Sequence, residues 1–150
     1  MEIRNYTETE IPAVLDFESR LREEEDVWGW EIDDKYISDV KASFRDERFK
    51  NSISLLAWED GKVIGRIDAV LIPSHFDGSV KAYLDWICVL KSCRHKGAAQ
   101  ALLAALRDRL KALGVDTLVA LTAANEEAQR FYQSVENSEM HDVGIWIDVK

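Results

Sequence analysis

Val89-Leu-Lys-Ser-Cys-Arg94-His-Lys-Gly97-Ala-Ala99-Gln-Ala-Leu-Leu103 joins two patterns of different period. The run before it, Ala82-Tyr-Leu-Asp-Trp-Ile-Cys-Val89, reads as a strand, and the alanine- and leucine-rich run after it reads as a helix. Between them a short loop carries Lys91, Arg94, His95 and Lys96 and closes on Gly97, Ala98 and Ala99. Small residues let a ligand approach the main chain, and a helix's first turn offers unpaired N–H groups at the positive end of its dipole. With three permanent cations beside it, the loop reads as a seat for an anion, a pyrophosphate above all. The alternative is an ordinary strand-to-helix turn with solvated lysines.

Toward the C-terminus, Ala99, Leu102, Leu103, Leu106, Leu110 and Leu113 make one apolar face, and Gly114 is placed to end the helix as its C′ residue. Asp116 to Leu121 is expected as a buried strand, Asn125 opens a helix reaching Ser134, and Met140 to Val149 is expected as the final strand. Toward the N-terminus, Ile53 to Glu59 and Lys62 to Ile72 form a hairpin through Asp60-Gly61. Gly65 inside the return strand implies a bulge or a close backbone approach. Ile3 to Tyr6 is a first strand, and Thr7-Glu-Thr-Glu10 has the form of a capping box. The helix it opens carries Ile11, Val14, Leu15 and Leu21 at helical spacing; Glu18 interrupts the stripe, so partial cover is expected there. Carboxylates at Glu23 to Asp26 should fray its end. Asp33 or Asp34 caps a second helix, with Tyr36, Ile37, Val40 and Phe44 inward and an end near Lys50 and Asn51. The order is β-α-α-β-β-β-α-β-α-β, an α/β class with a mixed central sheet flanked by helices on both faces. One domain spanning residues 1–150 is expected.

Composition narrows the function. The net charge is −9, all of it in residues 1–60, which hold 17 acids and 8 bases, while residues 61–150 hold 11 of each. No basic face is available for nucleic acid, and a cationic partner meeting the N-terminal part is favoured. No apolar run is long enough to span a membrane, and the Met-Glu-Ile-Arg start is not a signal peptide. Two cysteines, Cys88 and Cys93, give no disulfide framework, which points to a reducing, cytoplasmic setting. No paired ligand spacing supports a metal site. The Gly-x-x-x-x-Gly-Lys-[Ser/Thr] pattern of a nucleotide-binding P-loop is absent.

Two motifs together carry a family resemblance. Arg94-x-x-Gly97-x-Ala99 after a valine-ended strand, and Asn125-Glu-Glu-Ala128-Gln-Arg-Phe131-Tyr132 beginning 28 residues after Gly97, resemble the paired motifs of the GNAT-family N-acetyltransferases. The matched stretch, Ala82 to Tyr132, covers about a third of the chain; the element order outside it also agrees. The resemblance implies acetyl-CoA as co-substrate. Its pyrophosphate would lie on Arg94, His95, Lys96, Gly97, Ala98 and Ala99, and its pantetheine arm along the main chain of Ile87, Cys88 and Val89. Asn125 and Ala128 would contact the cofactor, and Arg130 would reach its 3′-phosphate or remain a solvated helix arginine. Tyr132 is implied as the general acid for the departing thiolate, the alternative being a tyrosine that only lines the cofactor. Asp85 is implied as the base, directly or through a water, the alternatives being a polar residue at a strand bulge or a ligand for the substrate ammonium.

Two departures stand out. The family usually shows Gly-Phe shortly after the tyrosine, where this chain has Ser134-Val-Glu-Asn-Ser-Glu139, and one clear strand follows where two are common. A strand supplied by a partner chain, and so a homodimer, is left open. In the family the loop between the first two helices helps form the acceptor site. Here that loop runs from Glu23 to Asp34, rich in carboxylates, with Glu24, Trp28 and Trp30 as candidate acceptor contacts. Acids and indole faces suit a small cationic amine of polyamine or aminoglycoside type, unless the loop is simply solvated with its tryptophans anchored in the core. Rival readings are a protein N-terminus or lysine as acceptor, and a non-catalytic acyl-CoA-binding module.

Overall fold

The structure, a computed structural model, describes residues 1–25, 31–121, 125–140, 144 and 147–149. The chain divides into two units, Met1–Val119 and Ala120–Lys150. The elements are β1 (Glu2–Asn5), α1 (Ile11–Glu24), α2 (Asp34–Ser43), β2 (Ser52–Glu59), β3 (Lys62–Pro73), β4 (Val80–Val89), α3 (Ala98–Ala112), β5 (Leu118–Ala120) and α4 (Glu126–Gln133). The strands form one sheet in the order β1-β2-β3-β4-β5, with β1 to β4 joined antiparallel.

Local chemistry accounts for most boundaries. Thr7 and Glu10 make the expected capping box, but it opens a 3₁₀ turn at Glu8–Glu10 that leads into α1. Asp60 at φ +50° and Gly61 at φ +75° make the tight β2–β3 turn, both central residues being left-handed as a twisted hairpin requires. Gly114 at φ +72° ends α3, with the Val115 N–H donating to Leu110 O at 2.9 Å.

Strand alternation sends β2 and β3 side chains to two faces. Leu56 on β2 packs with Val14, Phe17 and Leu21 of α1, and with Val63 and Leu90. Gly65 on β3 faces the other way, where a Cβ would stand 3.2 Å from Leu102 of α3. Helices therefore cover both faces. Gly65 satisfies both readings of its position. Ala57 pairs with Gly65 and Trp58 with Val63, which leaves Ile64 as the extra residue of a bulge. A Cβ there would also lie 3.0 Å from Val89 Cγ2 and 3.1 Å from the Cys88 carbonyl. Main chain cannot swing aside as a side chain can, so Gly65→Ala is expected to cost about 1–3 kcal/mol in urea denaturation. A loss within about 0.5 kcal/mol would mean that β4 moves more readily than its packing implies.

Three expectations are corrected. Glu18 is not partly covered but buried, at 1% exposure. α2 stops at Ser43 rather than near Lys50, where the Ser43 hydroxyl donates back to Val40 O at 2.7 Å and Asp46 caps a separate 3₁₀ turn. Its Tyr36, Ile37 and Val40 are half-buried, and Phe44 sits edge-on to Tyr6 at 5.0 Å. β5 is only Leu118–Ala120 and is half-exposed, and it is the last strand in the sheet order among the described residues. The expected final strand falls largely outside the described residues; Met140, Gly144 and residues 147–149 are not in a strand.

Candidate active site

β4 and the loop after it carry most of the expected site. Asp68 pairs with Trp86 and Ala69 with Leu84, so Asp85 is the extra residue of a second bulge, and it is exposed. Beyond the bulge, the Leu90 N–H donates to Ile64 O at 3.0 Å. In an antiparallel ladder, bonded and non-bonded pairs alternate. From Ile64 and Leu90, Gly65–Val89 and Ile67–Ile87 are then the non-bonded pairs, and Arg66–Cys88 the bonded one. The N–H and C=O groups of Ile87 and Val89 therefore turn away from β3, toward the side where β5 lies, while those of Cys88 face Arg66. β5 meets β4 at its start, the Ala82 N–H donating to Thr117 O at 2.9 Å, and is three residues long against ten for β4. Main-chain groups of Ile87 and Val89 are thus left unused by β3.

Burial pushes the Cys88 thiol up to about 11, with the charge of Glu25 adding to the shift. A thiol so placed stays protonated and is a packing residue, not a nucleophile.

The loop itself turns on two left-handed residues, His95 at φ +60° and Gly97 at φ +84°. Gly97 is the N-cap of α3, where no side chain caps the helix, and a Cβ on it would meet nothing within 4 Å. Its requirement is conformational, and the space above it is open. Ala98 beneath is buried at 2%, so a small residue is needed on that side. His95 and Lys96 are exposed. Uncapped first-turn N–H groups beside open space and cations make a seat suited to a pyrophosphate.

Sequence reasoning missed what holds this loop. Glu24 accepts from the Ser92 N–H at 2.9 Å and from the Ser92 hydroxyl at 2.6 Å. Glu25 pairs with the Arg94 guanidinium at 2.5 Å, while Arg94 Nε donates to Val89 O at 3.3 Å. Carboxylates at a helix C-terminus oppose its dipole by about 0.3–1 kcal/mol each; here the loop's donors offset that cost. The Ser92 hydroxyl and N–H hold the Glu24 carboxyl below its usual range. This contact therefore contributes above the unfolded carboxylate value and is lost as pH falls through the folded one. Of the expected acceptor contacts, Glu24 is thus engaged with Ser92, and Trp28 and Trp30 lie outside the described residues.

A polar cluster lies under α1 and α2. Arg66 pairs with Glu18 at 3.3 Å and with Asp68 at 2.7 Å, and its guanidinium stands 4.8 Å over the Tyr6 ring and 5.8 Å from that of Trp86. The Tyr36 hydroxyl donates to both Glu18 oxygens at 2.9 Å. The Ser54 hydroxyl donates to Asp68 at 2.5 Å. Burial, reinforced by the charge of Glu18, raises Tyr36 well above the ordinary tyrosine range, and burial pushes Tyr6 up to about 12. Desolvation works against the Arg66 charge, but Asp68, Tyr6 and Glu18 outweigh it and raise its pKa. The only cue in the sequence was the interrupted apolar stripe of α1.

In the second unit, Asn125 caps α4, accepting from the Ala128 N–H at 2.8 Å. Tyr132 is half-buried and meets the Phe131 ring edge-on at 5.3 Å. Arg130 pairs with Glu126 at 3.2 Å on the exposed side. Among the described residues no group of three or more acidic, histidine or cysteine side chains is placed to hold a metal, and no helix is long and apolar enough to cross a membrane.

The chain is similar in fold to several solved acetyltransferases. One is an aminoglycoside acetyltransferase from an uncultured soil metagenomic sample, in complex with sisomicin; TM-score 0.83, 14% identity, covering 99% of this chain and 96% of that one. Another is AAC(6′)-Iy with the bisubstrate analogue CoA-S-monomethyl-acetylneamine; TM-score 0.76, 23% identity, covering 98% and 97%. A third is a ribosomal-protein-alanine N-acetyltransferase from Brucella melitensis biovar Abortus; TM-score 0.68, 18% identity, covering 97% and 100%. No curated protein sequence matches. The model of the acetyltransferase (GNAT) family matches residues 5–135, a span that includes both the Arg94 to Ala99 loop and the Asn125 to Tyr132 helix. The chain belongs to the GNAT family of acetyltransferases, and its fold is that of the family's N-acetyltransferases.

Proposed function

We propose that residues 1–150 act as one cytoplasmic domain that transfers an acetyl group from acetyl-CoA to the primary amine of a small cationic acceptor, of polyamine or aminoglycoside type. The observation that carries the cofactor half is the loop at Arg94 to Ala99: two left-handed residues deliver an uncapped helix N-terminus beside an open Gly97. In this reading the pyrophosphate takes the loop, and the pantetheine arm runs along the main chain of Ile87 and Val89 as an added strand would. The Val89 N–H serves the developing oxyanion, since it faces away from β3. Asp85, exposed at its bulge, draws a proton through a water from the acceptor ammonium, the neutral amine attacks the thioester carbonyl, and Tyr132 protonates the departing thiolate.

The acceptor half rests on the charge excess of residues 1–60 and on the carboxylates of the loop between α1 and α2. Neighbours in fold include enzymes named for aminoglycosides and one named for a ribosomal protein's alanine, so a protein N-terminus is the second reading. The test is thermal stability with and without acetyl-CoA, followed by free-thiol release over a panel of polyamines, aminoglycosides and N-terminal peptides. Stabilisation with release on the first two classes is the expected result. Release on peptides alone would replace the acceptor. Failure of saturating acetyl-CoA to stabilise a folded sample would remove the cofactor reading.

A further inference from the structure

We propose that the C-terminal end of α1 is a two-carboxylate clamp that sets the shape of the cofactor loop, with Glu24, Glu25 and Ser92 as positioning residues for acetyl-CoA. The inference rests on the acetyl-CoA reading and adds to it how the loop is held. Glu24 grips the loop's 3₁₀ turn at Ser92 through both main chain and side chain, at 2.9 and 2.6 Å. Glu25 grips Arg94 at 2.5 Å, and Arg94 in turn holds the last carbonyl of β4, at Val89. The two grips fall directly before His95 and Gly97, whose left-handed geometry aims the first turn of α3. Without them, the loop would be anchored by Leu90, buried at 1%, by Ala98, buried at 2%, and by the Cys93 N–H on Leu90 O at 2.8 Å, with nothing from α1 to hold Ser92 and Arg94.

Three acids in a row at a helix C-terminus are misplaced for the helix, and two of them are used across 68 or more residues of sequence. That placement serves the loop. It also joins cofactor and acceptor regions, because Glu25 is followed directly by the chain leading to α2. Glu24 therefore acts on the cofactor side. Charge reversal of Glu23, Glu24 and Glu25 together should disturb acetyl-CoA before it disturbs any acceptor.

The test is calorimetric binding of CoA to the wild type and to Ser92→Ala, Ser92→Thr, Glu24→Ala and Glu25→Ala, with melting temperature as the fold control. Hydrogen bonds to a charged group correspond to about tenfold in an equilibrium. Glu24→Ala and Glu25→Ala are expected to weaken CoA about tenfold, and Ser92→Ala less, because its N–H remains. Ser92→Thr keeps both donors at an exposed position and should bind as the wild type does, and a loss of CoA binding at unchanged melting temperature separates positioning from a general loss of fold. Where acetyl transfer is measurable, the loss should appear in the KM for acetyl-CoA with kcat retained. CoA binding unchanged in both glutamate variants, or equal loss in Ser92→Thr and Ser92→Ala, would overturn the clamp while leaving the cofactor reading intact. A folded wild type that does not bind CoA would remove both.

Discussion

Tyr132→Phe is expected to lower kcat by roughly 10²–10⁴-fold while CoA binding stays within error of the wild type. The substitution removes one hydroxyl. It leaves the ring against Phe131 at 5.3 Å, the Ser138 hydroxyl on Tyr132 O at 2.9 Å and the Val135 N–H on the same carbonyl at 3.1 Å. α4 keeps its cap on Asn125, and the melting temperature reports any change in the fold. The size of the loss depends on the leaving group. A thiol has a pKa of about 8.5 and a phenol about 10, so a thiolate departs unaided far better than an alkoxide would. The effect should therefore fall in the lower half of the range. The pH profile separates an acid from a lining residue: an acid must be protonated, so the wild type should lose kcat on the alkaline side, and the variant should lack that limb. Unchanged turnover with an unchanged profile would remove the role.

What could be read in the sequence was what is decided within a few residues. Asp60-Gly61 specifies its turn by two left-handed residues, Gly114 ends α3, and Asn125 caps α4 three residues from its donor. The loop from Arg94 to Gly97 was legible for the same reason. Glu18 was misread because the groups that satisfy it are far along the chain, Tyr36 at 18 residues and Arg66 at 48. Periodicity sees a charge in an apolar stripe and cannot see its partners. The Glu24–Ser92 contact spans 68 residues and was invisible in the same way. There, an acidic helix end that local rules disfavour was the available signal. β5 has another cause: an apolar run does not state how much of its strand the neighbouring elements cover.

Arg66→Met should be among the most destabilising single substitutions in the protein, costing about 3–5 kcal/mol in urea denaturation. Arg66 lies between two carboxylates, with side-chain exposures of 18% for Arg66, 1% for Glu18 and 15% for Asp68. Removing it leaves two like charges facing each other in poor solvent, and an aliphatic side chain of similar length preserves volume but supplies no donor. Against a total of about 5–15 kcal/mol for a domain, such a loss could leave a measurable unfolded fraction. Glu18→Gln should cost less, because its amide oxygen still accepts from Tyr36 and Arg66 keeps Asp68. The variant's pH dependence fixes the cause. With the cation gone, the facing carboxylates hold a proton more tightly folded than unfolded, so their folded pKa lies above the unfolded value. Stability of Arg66→Met relative to the wild type should then be best at acid pH, below the ordinary carboxylate range, and decline as pH rises through the raised value. A loss of similar size at every pH would assign the cost to packing against Tyr6 and Trp86 instead. A loss under about 0.5 kcal/mol would show that water already reaches the cluster. The same residue bears on the site, since its guanidinium lies 5.8 Å from the ring of Trp86, the neighbour of Asp85. Folded Arg66→Met should therefore lose turnover beyond its unfolded fraction, because the bulge that presents Asp85 has lost one of its supports.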